Sequence, residues 1–145
     1  MKDIFNTDNG ALILRVTLGG VLIAHSLYLK LFVFTLNGTA LFFSSIGLPE
    51  ALAYIVFSIE VIAGFSLLLG FQTRFFAAIV IPILLGATWA HATNGWLFTN
   101  TGGGWEYPLF LTFAALVQLN LGGGKYAISR RNGLSNYPLS KGTNP

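Results

Sequence analysis

Apolar residues fill this chain in long unbroken runs, over about residues 11–31, 51–71, 75–92 and 108–121, with no single stripe and no strict alternation. A helix that is apolar on every side is buried in lipid or in a large core, and a membrane strand would alternate apolar with polar side chains. The runs therefore predict helices that cross a bilayer. In the second run, ALAYIVFSIEVIAGFSLLLGF, twelve residues are Leu, Ile, Val or Phe, and the one acid is Glu60. Each such residue favours insertion by about 0.3 to 0.6 kcal/mol, which together outweighs the roughly 3 kcal/mol cost of a central carboxylate. At about 1.5 Å per residue the run reaches about 30 Å, the thickness of the hydrocarbon core. Glu60 sits near its midpoint and needs a polar partner there.

Turn-forming residues punctuate the pattern. A polar lead over residues 1–10 ends in an Asp/Asn/Gly cluster suited to capping the first helix. Residues 32–50 are apolar but broken by Asn37-Gly38, Gly47 and Pro49, so they are expected to lie along the outer interface and not to span. The second helix is expected to stop at Gly70, and the short link GFQTR forces the third run to return antiparallel. Pro82 lies inside that third run and predicts a kink. The stretch ATNGWLFTNTGGGWEY reads as an ordered interfacial loop, Pro108 as a first-turn residue of the fourth helix, and Gly122-Gly123-Gly124 as its end. The tail over residues 122–145 is polar and basic and need not be ordered. The predicted fold class is an all-α membrane protein: one domain, a four-transmembrane-helix up-down bundle. The first run contains Arg15, lacks a small-x-small cleavage pattern and is long enough to span, so it is expected to be a retained helix. Lys2, Arg15, Arg74, Lys125, Arg130, Arg131 and Lys141 fall on the side of the termini, against Lys30 on the other, which places both termini in the cytoplasm.

Composition narrows the function classes. The chain is 54% hydrophobic and only 9% charged, whereas a soluble domain carries about a quarter charged residues. The net charge of +3 is a topology signal in this setting and excludes no lipid contact, but it leaves no nucleic-acid reading. With no cysteine, thiol catalysis, Cys-ligated zinc and iron–sulfur clusters are excluded from this subunit, and no metal site is predicted.

Candidate chemistry follows from depth. Counted from the cytoplasmic starts of their helices, His25 lies about 21 Å in and His91 about 25 Å in, both in the outer half, with Glu60 at the centre. Lys30, Asn94, Glu106 and Tyr107 lie at the outer rim, and Trp89 close by. Ionisable side chains inside a bundle are functional candidates by default. Glu60 reads either as a functional acid or as a structural ion pair, with Arg15 as the partner. His25 and His91 read as proton relays or as core histidines, Lys30 as a site residue or a snorkelling lysine, and Glu106 as a helix-dipole charge or a ligand contact. Trp89, with the other tryptophans, reads as an interfacial belt residue or part of a pocket wall. Arg15 and Arg74 read as topology and headgroup anchors. On a uniform α-helix, Arg15, Gly19, Ser26 and Lys30 share about 60° of arc and His25 stands about 80° to the other side of Arg15. A bis-histidine haem would need the two histidine helices face to face, which nothing in the sequence fixes.

The ordered series Arg15, Gly19, His25, Lys30, then Gly47-Leu48-Pro49, Glu60, Gly64, Gly70, Thr73-Arg74, then His91, Asn94-Gly95 and Glu106-Tyr107-Pro108 resembles the DoxX family of bacterial and archaeal membrane proteins, over roughly residues 10–130. One departure is visible: many members have Gly directly after the histidine and a Lys soon after, whereas here Ser26 follows His25 and Lys30 stands five residues on. The resemblance implies a four-helix bundle in the bacterial or archaeal cytoplasmic (inner) membrane, with Arg15, His25, Lys30, Glu60, Arg74, His91, Asn94 and Glu106 as the shared polar residues. It also implies an association with quinone-linked oxidoreductases and oxidative-stress complexes. The leading expectation is a membrane subunit of a quinone-linked oxidoreductase, with no intrinsic cofactor, that takes a quinone or similar small lipophilic molecule in the outer half of the bundle. His25 or His91 would relay a proton, Glu60 would orient the head group, Lys30 would stabilise an oxyanion, and Trp89 and Tyr107 would line the pocket. The alternatives are a scaffold that recruits a soluble redox partner protein through Lys125 to Lys141, and a small transporter, which would require a homo-oligomer.

Overall fold

A computed structural model describes residues 6–129, and every regular element among them is helical. Asn6 starts the first helix by accepting the Asn9 N–H at 2.8 Å. That helix, α1 (Thr7–Ile23), passes without a break into a π-helical segment (Ala24–Val33). Together they form one rod of 27 residues. A short helix α2 (Leu36–Ser45) follows, in the stretch expected to stay at the interface, with Thr35 capping the Gly38 N–H at 3.1 Å.

Helix α3 (Glu50–Leu69) begins after Pro49, whose fixed φ of −60° suits a helix entry, and ends where the sequence placed its stop. Gly70 takes a φ of 71°, and the Phe71 N–H reaches back to the Ser66 carbonyl at 2.8 Å while that of Gly70 reaches Leu67 at 3.1 Å. This pair of bonds is a Schellman cap, which needs the left-handed residue that glycine supplies. Helix α4 (Thr73–Ala90) starts three residues after Gly70 and continues through Pro82, and α5 (Glu106–Leu121) comes after the long loop.

In cross-section α1 packs on α3, α3 on α4, α4 on α5 and α5 back on α1, so four helices close a ring. α2 lies against α3 and the π segment. The tightest crossing joins Gly19 and Gly64: a Cβ on Gly19 would stand 2.9 Å from the Gly64 carbonyl oxygen. Absent side chains are what let the two backbones touch there. The core between the helices is aliphatic, built around Leu18, Leu22, Leu67, Val80 and Ala115, all 2% exposed or less.

The outer faces are apolar as well. Ile62, Phe75, Phe110 and Phe113 are each more than half exposed, which water would penalise and acyl chains would not. Three stretches are long and apolar enough to cross a membrane, Thr7–Val33, Glu50–Leu69 and Thr73–Ala90. α5, with 16 residues, is shorter than any of these three. One expectation is corrected: the segment after α5 is not loose up to residue 129. Lys125 N–H bonds to the Asp8 carbonyl at 3.1 Å, and Ile128 and Ser129 pair with the carbonyls of Leu69 and Gly70 at 3.3 and 3.1 Å. It therefore caps the exposed end of α3. Lys2, Arg130, Arg131 and Lys141 lie outside the described residues.

Candidate functional site

The polar residues singled out from the sequence separate into three places. In the membrane-spanning part, the buried Glu60 meets Lys30, with Nζ 2.6 Å from Oε2. This corrects the pairing with Arg15 that was one of the two readings of Glu60; the Lys30 side chain is 20% exposed. The cause is the π segment. Around an α-helix, residues five apart point about 140° away from each other, but a turn that closes on the fifth residue stacks them. The Phe34 N–H bonds to the Leu29 carbonyl at 2.8 Å in this manner. His25 and Lys30 are thereby brought onto one edge of the rod. Ser26 sits at the entry to this segment, fully buried, with its hydroxyl donating to the Leu22 carbonyl at 2.7 Å. Such back-bonding competes with the backbone ladder and loosens it.

His25 is half-buried and stacks on Tyr107 of α5, with ring centroids 5.7 Å apart and planes 26° apart. It also lies within electrostatic range of Lys30 and His91. His91, at the end of α4, is 2.8 Å from the Ala87 carbonyl through Nδ1. A carbonyl only accepts, so Nδ1 is the donor in this contact. Gly103 passes beside the ring, where a Cβ would come 3.8 Å from Nε2, and Phe42 of α2 faces the ring at 6.5 Å. Lys30 thus meets Glu60, and His25 meets Tyr107 within electrostatic range of Lys30 and His91.

The second place is the loop between α4 and α5. Asn94 donates to the carbonyls of Gly102 and Gly103 at 3.1 and 2.9 Å, and Glu106 accepts the Phe98 N–H at 2.8 Å. Trp96 and Trp105 meet edge-on at 4.4 Å, and a side chain on Gly104 would collide with the Leu97 carbonyl. Asn94 and Glu106 are engaged in holding this loop in shape. Trp89 points outward and is 58% exposed.

The third place is the opposite end. Arg15 was expected at lipid headgroups, yet it is 2% exposed and donates to the carbonyls of Leu67, Leu68 and Lys125 at 3.0, 3.1 and 3.2 Å. It caps the C-terminus of α3 and ties α1 to the chain beyond α5, a use the planar fork of arginine suits. Arg74 is exposed and gives one N–H to the Asn120 carbonyl at 3.1 Å. Sequence reasoning also gave no role to Gln118, fully buried, whose Nε2 donates to the Gly122 carbonyl at 2.6 Å and closes the α5 end. A polar residue in an apolar run was the available signal.

The sequence model of the DoxX family matches residues 10–93. The chain belongs to the DoxX family. In this DoxX chain the matched stretch holds Arg15, His25, Lys30, Glu60, Arg74 and His91, and stops short of Asn94, Glu106 and Tyr107. A protein of Bacillus subtilis (strain 168) named "Putative oxidoreductase CatD" is 38% identical over 78 residues, which cover 54% of this chain and 56% of that protein. The match therefore spans about half the length of the curated relative. No solved structure matches the chain.

Proposed function

We propose that this DoxX chain is the quinone-facing membrane subunit of an oxidoreductase assembly, a four-span bundle of the cytoplasmic membrane with both termini inside. The carrying observation is the Lys30–Glu60 ion pair set beside the His25–Tyr107 stack, within helices whose outer faces are apolar. The name of the Bacillus subtilis relative supports the redox setting. The family and the apolar helices support a multi-pass membrane protein.

The donor set fits a flat ring with oxygens at its ends. Lys30 Nζ keeps two N–H groups beyond its bond to Glu60, and neither ring nitrogen of His25 is hydrogen-bonded among the described residues. The half-buried His25 and the one-fifth-exposed Lys30 side chain both keep some accessible surface. A quinone supplies the electron-accepting chemistry when bound, and the electrons come from a partner redox protein. Lys30 places positive charge where a carbonyl oxygen gains negative charge. Glu60 holds that ammonium in position. His25 exchanges the proton, with His91 as the next titratable group in range.

The test is quinone retention. Protein purified in mild detergent is extracted and its quinone quantified, for wild type, His25→Ala, Lys30→Met and the loop variant Asn94→Ala. The two site variants are expected to lose at least about tenfold of the bound quinone, the effect of one charge-assisted hydrogen bond. Folded site variants that retain wild-type quinone would refute the proposal.

A further inference from the structure

At the opposite end of the bundle, where α1 and α4 begin and α5 ends, the described residues line an open cleft of about 380 Å³. Small-ligand sites have volumes of about 300 to 1,000 Å³. The cleft carries one charge of each sign, from separate helices: Asp8 in the first turn of α1 and Arg74 in the first turn of α4. No ion pair joins them among the described residues, so the two charges remain available together. Arg74 spends one N–H on the Asn120 carbonyl and keeps the rest of its fork. Thr73 also lines the cleft; it is 4% exposed, and its Oγ1 has no hydrogen-bond partner. That hydroxyl lies against Gly123, a second lining residue, where a Cβ would come within 3.3 Å of it. A buried hydroxyl without a partner is costly, and a ligand acceptor reaching it would remove the cost. α4 starts here with no side-chain cap, so its first N–H groups add partial positive charge beside Arg74.

A phosphate fits the Arg74 side of this cleft, but phosphate alone leaves Asp8 as a like charge. We propose that the cleft holds the headgroup of a phospholipid carrying both a phosphate and a primary ammonium, the phosphoethanolamine class. The phosphate lies against Arg74, Thr73 and the α4 N-terminus, and the ammonium lies at Asp8. Phe75, next to Arg74 and 58% exposed, offers apolar surface for the acyl chains. Phosphatidylglycerol brings no cation for Asp8, and the choline headgroup brings one with no N–H to donate. This site is separate from the Lys30–Glu60 cluster.

The test uses the full chain in detergent, titrated with phosphatidylethanolamine, phosphatidylglycerol and phosphatidylcholine of identical acyl chains, with bound lipid counted by native mass spectrometry. Inorganic phosphate is added as a competitor. Wild type is expected to prefer phosphatidylethanolamine over the other two by about two- to fivefold, the scale of one charge pair at an exposed site. Asp8→Asn should bring the phosphatidylethanolamine-to-phosphatidylglycerol ratio to about one, and Arg74→Gln should weaken both lipids alike. Asp8 is exposed, so its variant folds and the ratio can be read even if Arg74→Gln does not fold. Equal binding of all three lipids by wild type would overturn the proposal, as would an unchanged ratio in Asp8→Asn. Displacement of the lipid by phosphate at equal concentration would also overturn it, marking a free-anion site.

Discussion

Removing Lys30 and removing Glu60 should not cost the same. Their contact is 2.6 Å, with 20% of the lysine side chain exposed and 8% of the glutamate side chain. Two unit charges about 4 Å apart attract by about 4 kcal/mol at an effective dielectric of about 20, and truncating one member of a buried pair costs about 3 to 5 kcal/mol. The residual exposure of Lys30 shields part of this, so Lys30→Met should lose about 2 to 3 kcal/mol, because it leaves a carboxylate stranded in the bundle. In Glu60→Gln the remaining ammonium sits on a flexible stem and can snorkel outward, so the loss should be about 1 kcal/mol. The double variant strands neither charge, and its cost should fall below the sum of the two by at least about 1 kcal/mol. Equilibrium unfolding in mixed micelles, titrated with a denaturing detergent and followed by helical circular dichroism, measures all three. Additivity within about 0.5 kcal/mol, or a costlier Glu60→Gln than Lys30→Met, would refute the reasoning.

Four further outcomes are checkable by the same unfolding assay or by hydrogen exchange. Gly19→Ala should destabilise by about 1 to 3 kcal/mol, since its Cβ would stand 2.9 Å from a backbone oxygen and 3.0 Å from the Leu68 nitrogen. Gly20→Ala, with nothing within 4 Å, should be neutral or gain up to about 1 kcal/mol of helix propensity. Arg15→Lys should cost about 2 kcal/mol, because a single ammonium cannot reach three carbonyls that arginine bridges at 3.0 to 3.2 Å; a near-neutral result would mean that those bonds contribute little. Amides of Leu29 to Phe34 should exchange at least about tenfold faster than those of Ile62 to Leu67, as the strained π turns open locally; equal protection would contradict the loosening ascribed to Ser26.

Much of the architecture was legible in the residues. The stop at Gly70, the return of the chain through the short link GFQTR and the non-spanning stretch over residues 32–50 all rest on local chemistry that any context would respect. The candidate site was legible as a set of residues at similar depth, which needs only helix rise and chain direction. The contacts of Lys30 with Glu60 and of His25 with Tyr107 join residues of that set. Asn94 and Glu106 share the level but are taken up by the loop, since their bonds depend on how eleven residues between Asn94 and Glu106 fold back on themselves.

Sequence by itself settled that the chain is a set of apolar helices and which polar side chains must find partners, because lipid leaves a backbone and a carboxylate no other solution. Which partner each one found was decided by tertiary structure. Arg15 went to the end of α3 and Lys30 to Glu60, although a uniform 100° per residue puts the two cations on one face of the helix. A π segment resets the rotation of everything beyond Ile23, and whether such a segment forms depends on the neighbours packed against it, which no periodicity along one chain contains.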